Sequence, residues 1–244
     1  MKILKLTGTA VFLFLIGAAS IVILFDARNK IQNRISGLGY SENLPASELA
    51  AKVAKGGLIL FFRHAEREKW IDVAMYDAIE ANHQPLAENR YFKDAVCLSS
   101  RGLVQGRAMG DVIKTLTFPV KTVVTSPSCR ARQTAELAFG GYDKIDHTFM
   151  HRGPYLEDEQ ELIQAIREQI LKLETSPDKN VIISAHNGVI KPGIFDKLNI
   201  KFDDDLEEGG FYVMENRNGS LILIGYFNNF QFFHKEFERR QAGS

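Results

Sequence analysis

Three short apolar runs, each breaking off into residues that carry charge or a nucleophile, constrain this chain more than any other feature. Leu58-Ile59-Leu60-Phe61-Phe62 stops at Arg63-His64-Ala65-Glu66, with Arg67 next. Val123-Val124-Thr125 stops at Ser126-Pro127-Ser128-Cys129-Arg130, and Val181-Ile182-Ile183-Ser184 stops just short of His186-Asn187-Gly188. An unbroken apolar run of this length fits a strand buried on both faces, as in sheets covered by helices. In open sheets of that kind, ligands bind beyond the carboxyl ends of the strands. The three ends together offer two histidines and three arginines, a set suited to holding a phosphoryl group and attacking it.

Helical signals fill the spaces between the runs. Residues 45–55 read as a helix: Pro45 suits a first turn, Leu49 and Val53 share a face, and Gly56-Gly57 stop it. Ser99 or Ser100 caps a second helix reaching Thr115, with Val104, Ala108, Val112 and Thr115 at helical spacing. A strand over residues 121–125 and a helix from Ser128 to Gly140-Gly141 follow. Residues 159–173 carry the stripe Leu162, Ile166, Ile170 and Leu173. After the third run, a helix with Pro192 early in it is expected to reach Leu198. Residues 210–215 and 221–227 read as a hairpin about residues 216–219. Alternating strands and helices predict an α/β fold, a three-layer α/β/α sandwich with a mostly parallel central sheet. Residues 68–97 form an insertion with Trp70, Tyr76, Tyr91 and Phe92, on the side where a substrate would be chosen.

This domain is expected to fill residues 44–240. Ahead of it, residues 6–25 carry no charge, and at ~1.5 Å per residue that helix would span roughly the thickness of a bilayer. Residues 1–25 are therefore a transmembrane anchor or a signal, and residues 26–43 a juxtamembrane linker. Gly17-Ala18-Ala19 would allow cleavage after Ala19. The apolar run continues to Phe25, however, which favours an uncleaved anchor. Positive charges flank both ends of the run. A short basic N-terminus before a long domain puts that domain on the extracytoplasmic (periplasmic) side. Lys+Arg and Asp+Glu number 30 each, so there is no electrostatic reason to expect nucleic acid as a partner. A small anionic substrate and, through the N-terminal helix, the membrane are the expected partners. Oligomeric state leaves no signal in the sequence. No Cys-x-x-Cys or paired-His spacing is present, so no metal and no cofactor is expected.

At its motif residues the chain resembles the histidine phosphatase superfamily, the phosphoglycerate mutase-like proteins. The matching stretches are Arg63-His64-Ala65-Glu66, Leu98-Ser99-Ser100-Arg101-Gly102-Leu103-Val104-Gln105, Ser126-Pro127 through Arg130-Ala131-Arg132-Gln133-Thr134-Ala135, and His186-Asn187-Gly188. They occur in the family's order over residues 57–227. The resemblance implies a metal-independent phosphatase that hydrolyses a phosphomonoester through a phosphohistidine intermediate. His64 would be the nucleophile, its second nitrogen kept protonated by a backbone carbonyl. Arg63, Arg67 and Arg130 would bind the phosphoryl oxygens, guanidinium being planar and always charged. His186 would donate a hydrogen bond that strengthens as negative charge builds. Arg132 is expected on the outer helix face and Arg101 near a helix start, away from substrate.

The acid-phosphatase branch carries His-Asp where this chain has His186-Asn187, and an amide cannot protonate a leaving group. Glu157 matches by position the catalytic glutamate of mutase-like members. An acidic turn shared with Asp158, Glu159 and Glu161 explains it equally well, and Glu66 is a further option. Two alternatives share the fold: a protein phosphohistidine phosphatase, whose leaving group needs less protonation, and a non-catalytic phospholigand-binding protein. If the segments holding Cys97 and Cys129 converge on one pocket, the two sulfurs can bond in an oxidising compartment. Otherwise they are two separate buried thiols.

Overall fold

The computed structural model describes residues 44–68, 93–150, 158–198 and 200–242. The expected anchor at residues 1–25, the linker at 26–43, most of the insertion and Glu157 lie outside the described residues. Among the described residues no helix is long and apolar enough to cross a membrane.

The first apolar run forms strand β1 (Ile59–Arg63), preceded by helix α1 (Ala46–Lys55), which Pro45 caps and Gly56 ends at a φ of 98°. A single turn, α2 (Lys93–Val96), leads to α3 (Ser100–Thr115), whose first turn is capped by the Ser99 side chain accepting from Gly102 N. Strand β2 (Val120–Thr125) then runs into α4 (Cys129–Phe139), capped by Ser128 and closed by Gly140 in the left-handed region. Next come β3 (Lys144–Ile145), a 3-10 turn (His147–Phe149), α5 (Glu159–Leu171) and β4 (Asn180–Ala185). A second 3-10 turn (Pro192–Ile194), β5 (Lys197–Leu198), β6 (Phe211–Arg217), β7 (Ser220–Phe227) and α6 (Phe230–Ala242) complete the order.

The seven strands make one mixed sheet in the order β3-β2-β4-β1-β6-β7-β5. Strands β2, β4 and β1 run parallel, with Thr125 level with Ser184 and Ser184 level with Phe62. Their carboxyl ends therefore open at one edge. β6 returns antiparallel beside β1 and pairs with β7 as a hairpin, while β5 runs parallel to β7. Asn218 and Gly219, at φ 54° and 86°, form the two-residue turn of that hairpin.

Strand period two divides β1 between two cores. Leu58, Leu60 and Phe62 pack with Leu49 and Val53 of α1, Met109 and Ile113 of α3, Ala135 of α4, and Phe230 and Phe233 of α6. Phe61 points the other way, its ring edge-on to Phe149 at 5.9 Å, and α5 buries Ile166 and Ile170 there against the 3-10 turns. Helices thus cover both faces. At roughly 1.5–3 kcal/mol per fully buried large side chain, these two layers supply the main drive to fold.

Two expectations are corrected. The face α3 buries is Gly102, Gly106, Met109, Gly110 and Ile113, whereas Val104 is 64% exposed. The glycines allow backbone to approach: a Cβ at Gly102 would lie 1.9 Å from the Glu66 carbonyl oxygen, and one at Gly110 lies 2.3 Å from that of Leu137. The helix expected from Pro192 to Leu198 is a single 3-10 turn followed by β5. The chain stays extended there because Asp196, after the turn, accepts from Arg167 and from Leu221 N and docks the segment on β7.

Candidate active site

His64 is the first residue beyond β1, and its backbone N–H still donates to Ala185 O of β4 at 3.0 Å. Its Nδ1 lies 2.7 Å from Ala65 O, and since a carbonyl can only accept, Nδ1 carries the proton. Arg130 Nε donates to the other nitrogen, Nε2, at 3.2 Å, so the lone pair is at Nε2. Burial, then the Arg130 charge, hold the imidazole pKa well below 6.5; Arg63 and Arg67 act in the same direction, against the Ala65 hydrogen bond. The side chain is a neutral nitrogen base next to a fixed cation.

Arg130 sits in the first turn of α4 and is 1% exposed. Its Nη1 donates to Val96 O at 3.5 Å. The guanidinium and the helix N-terminus together favour an anion at this point. Thr134, one turn on, donates to Arg130 O at 2.8 Å and accepts from Ala65 N at 2.9 Å, which ties α4 to the His64 loop. His186, beyond β4, lies with its ring centroid 5.3 Å from that of His64. Its Nε2 is 2.8 Å from Ser126 Oγ and 3.2 Å from Ser128 Oγ, which sets the ring's orientation. The three parallel strand ends therefore bring His64, Arg130 and His186 together.

Arg63 is anchored from one side: Nη2 donates to Glu208 Oε1 at 2.9 Å and Nη1 to Leu206 O. Its Nε is buried and makes no hydrogen bond among the described residues. Arg67 donates from Nη1 to Glu68 O at 2.7 Å, and its charge reaches His64. Glu66 pairs through Oε1 with Arg101 Nε at 2.8 Å, and Arg132 donates to Pro127 O. Glu66 thereby faces a groove of about 820 Å³ between α3 and α6, also lined by Gln105, Met109, Glu208, Phe230 and His234. His64, Arg130 and His186 do not line it and lie instead beyond the strand ends.

Cys97 and Cys129 form a disulfide. With Leu98 N donating to Gln133 Oε1 at 2.8 Å, it fastens the end of the insertion to α4 beside Arg130. Sequence reasoning did not assign parts to Gln105, Thr134 or Glu208. Gln105 takes Glu66 N at 2.9 Å and gives Nε2 to Glu208 O at 2.8 Å, so it braces both sides of the His64 loop. Gln105 and Thr134 lie inside the quoted motifs, whereas nothing in the sequence marks Glu208.

No family model matches the chain. It is 27% identical over 173 residues to the lipopolysaccharide core heptose(II)-phosphate phosphatase of Escherichia fergusonii, a match covering 70% of this chain and 74% of that protein. Among solved structures it is similar to the protein histidine phosphatase SixA complexed with tungstate, at 12% identity and a TM-score of 0.47, covering 70% of this chain and 96% of that one. It is also similar to phosphoserine phosphatase from Entamoeba histolytica in complex with 3-phosphoglyceric acid, at 15% identity and a TM-score of 0.45, covering 72% and 98%.

Proposed function

We propose that this chain is a metal-independent phosphatase of the histidine phosphatase superfamily, hydrolysing a phosphomonoester through a phosphohistidine on His64. The observation that carries the reading is a neutral His64 with its Nε2 lone pair 3.2 Å from Arg130 Nε. The lone pair attacks phosphorus, the ester oxygen leaves, and water then cleaves the P–N bond, which divides one hard step into two. Arg130 and the α4 N-terminus neutralise the phosphoryl oxygens before and during attack. Arg63, whose buried Nε makes no hydrogen bond among the described residues, Arg67 and His186 complete the cup. The likeness to the E. fergusonii enzyme supports a sugar phosphate of an envelope glycolipid as substrate.

Residues 1–25 anchor the chain, and the domain works on the extracytoplasmic side. The Cys97–Cys129 disulfide supports an oxidising compartment. His64→Ala is expected to abolish phosphate release from an aryl phosphate, and chelators are expected to leave the wild type active. Wild type quenched during turnover should hold acid-labile, base-stable phosphate, which a binding protein would not. Full activity in the His64→Ala protein would reject the reading.

A further inference from the structure

Arg63 reaches the cup with its guanidinium already engaged at the far end. Nη2 donates to Glu208 Oε1 at 2.9 Å and Nη1 to Leu206 O, while Nε is buried and meets no acceptor among the described residues. Leaving a buried, charged N–H without an acceptor is costly, so a position like this calls for an anion. The phosphoryl group of the reaction is the anion at hand: Arg63 adjoins His64, and its charge acts on the His64 ring. The Arg63–Glu208 pair is sheltered, its side chains 17% and 12% exposed, whereas Arg101, on Glu66, is 83% exposed. Shelter lets the first pair keep its geometry, where an exposed pair contributes little.

Glu208 is presented by a turn built onto the nucleophile's own backbone. Gly210 N donates to Glu207 O at 2.9 Å, which closes a turn with Glu208 second and Gly209 third, the latter at φ 77°. A left-handed third position favours glycine. Gly209 N donates to Arg63 O at 3.2 Å and to His64 O at 3.1 Å, and Arg63 N donates to Gly210 O at 2.8 Å. From α3, Gln105 Nε2 donates to Glu208 O at 2.8 Å, and its Oε1 accepts from Glu66 N at 2.9 Å. On the other side the turn lies hard against the residues after β7, since a Cβ at Gly210 would be 2.2 Å from Asn228 O. The Glu208 carboxylate therefore has a fixed place relative to His64 before any substrate arrives.

We infer that Glu208 is a positioning residue of the reaction: it holds the end of the Arg63 guanidinium so that Nε–H is aimed at a phosphoryl oxygen beside His64. The inference rests on the phosphatase reading above. Glu208 exchanges no proton with the substrate and acts only through Arg63. Two effects of its carboxylate oppose each other. Its negative charge weakens the pull of the cup on an anion, while its hydrogen bond fixes the direction of the donor. Charge in the transition state develops at set positions, and a donor there must be aligned in advance. Alignment is the larger effect, because an arginine side chain freed at its end spreads over many rotamers.

The test is a double-mutant cycle read in kcat/KM for p-nitrophenyl phosphate and in the Kd of vanadate, which mimics five-coordinate phosphorus. Glu208→Ala is expected to lower kcat/KM by on the order of 10–10²-fold, less than Arg63→Ala, for which loss of one preorganised donor predicts about 10²–10³-fold. Added to Arg63→Ala, it is expected to cost no more than about twofold further, since no guanidinium is left to aim. Glu208→Gln keeps an oxygen where Nη2 donates and is expected to recover most of what Glu208→Ala loses, which separates direction from charge. Equal losses for Glu208→Ala with and without Arg63, as a merely structural role would give, overturn the inference and leave the phosphatase reading intact. So does a Gln variant as slow as the Ala variant, or a Glu208→Ala protein as active as wild type. A wild type that neither releases phosphate nor binds vanadate overturns both readings.

Discussion

A histidine whose lone pair meets a guanidinium N–H stays neutral under conditions that would protonate it in water. Burial and Arg130 hold His64 well below 6.5. The acid limb of kcat/KM, which reports the free enzyme's nucleophile, is therefore expected well below pH 6.5. A rate profile falling away at or above that value would contradict the assignment. Stability follows by linkage. As pH falls below 6.5 the unfolded chain binds a proton that folded His64 refuses, so this group's contribution is full above 6.5 and declines towards the folded value. At this scale the sequence was readable wherever a residue adjoins a strand end: His64, Arg130 and His186 are fixed by the strands before them. Glu208 was not, because its approach to Arg63 depends on a loop doubling back to β6. No periodicity records that.

Among the elements, α3 shows how helical spacing misleads. Val104, Ala108, Val112 and Thr115 satisfy the apolar pattern, yet the inner face consists largely of glycines. Hydropathy rewards large apolar residues, whereas this contact requires small ones so that α3 can touch the Glu66 carbonyl and α4. The Pro192 segment misled for the opposite reason: proline allows a helix start but does not create one, and β-pairing to β7 won. The caps Ser99 and Ser128 and the stop at Gly140 were legible because each acts within its own turn. The disulfide links two elements 32 residues apart in sequence. Loop-closure entropy for such a separation predicts that the Cys97→Ser/Cys129→Ser protein loses roughly 3–4 kcal/mol of stability. Urea unfolding of the two proteins checks this, and coincident midpoints would refute it.

Across the whole molecule, alternating runs and helices were enough to give helices on both faces of a central sheet. They did not give the edge strand β3 or helix α6. β3 is too short to show a pattern, and α6 buries Phe230, Phe233 and Glu236 while leaving Phe232 exposed, so its apolar residues do not mark one face cleanly. An anchor at residues 1–25, as proposed, would make the chain an integral membrane protein. It is expected to remain with membranes through an alkaline carbonate wash and to be freed when those residues are deleted. Release of the intact chain by the wash would refute it. The sulfur bridge next to Arg130 then has a meaning for the cell. Under the proposed extracytoplasmic placement, a covalent staple that closes only where thiols are oxidised would set the surroundings of Arg130 after the chain has left a reducing milieu. A newly made copy would thus acquire its finished grip only where it is meant to act, and phosphoesters on the near side of the membrane would be spared.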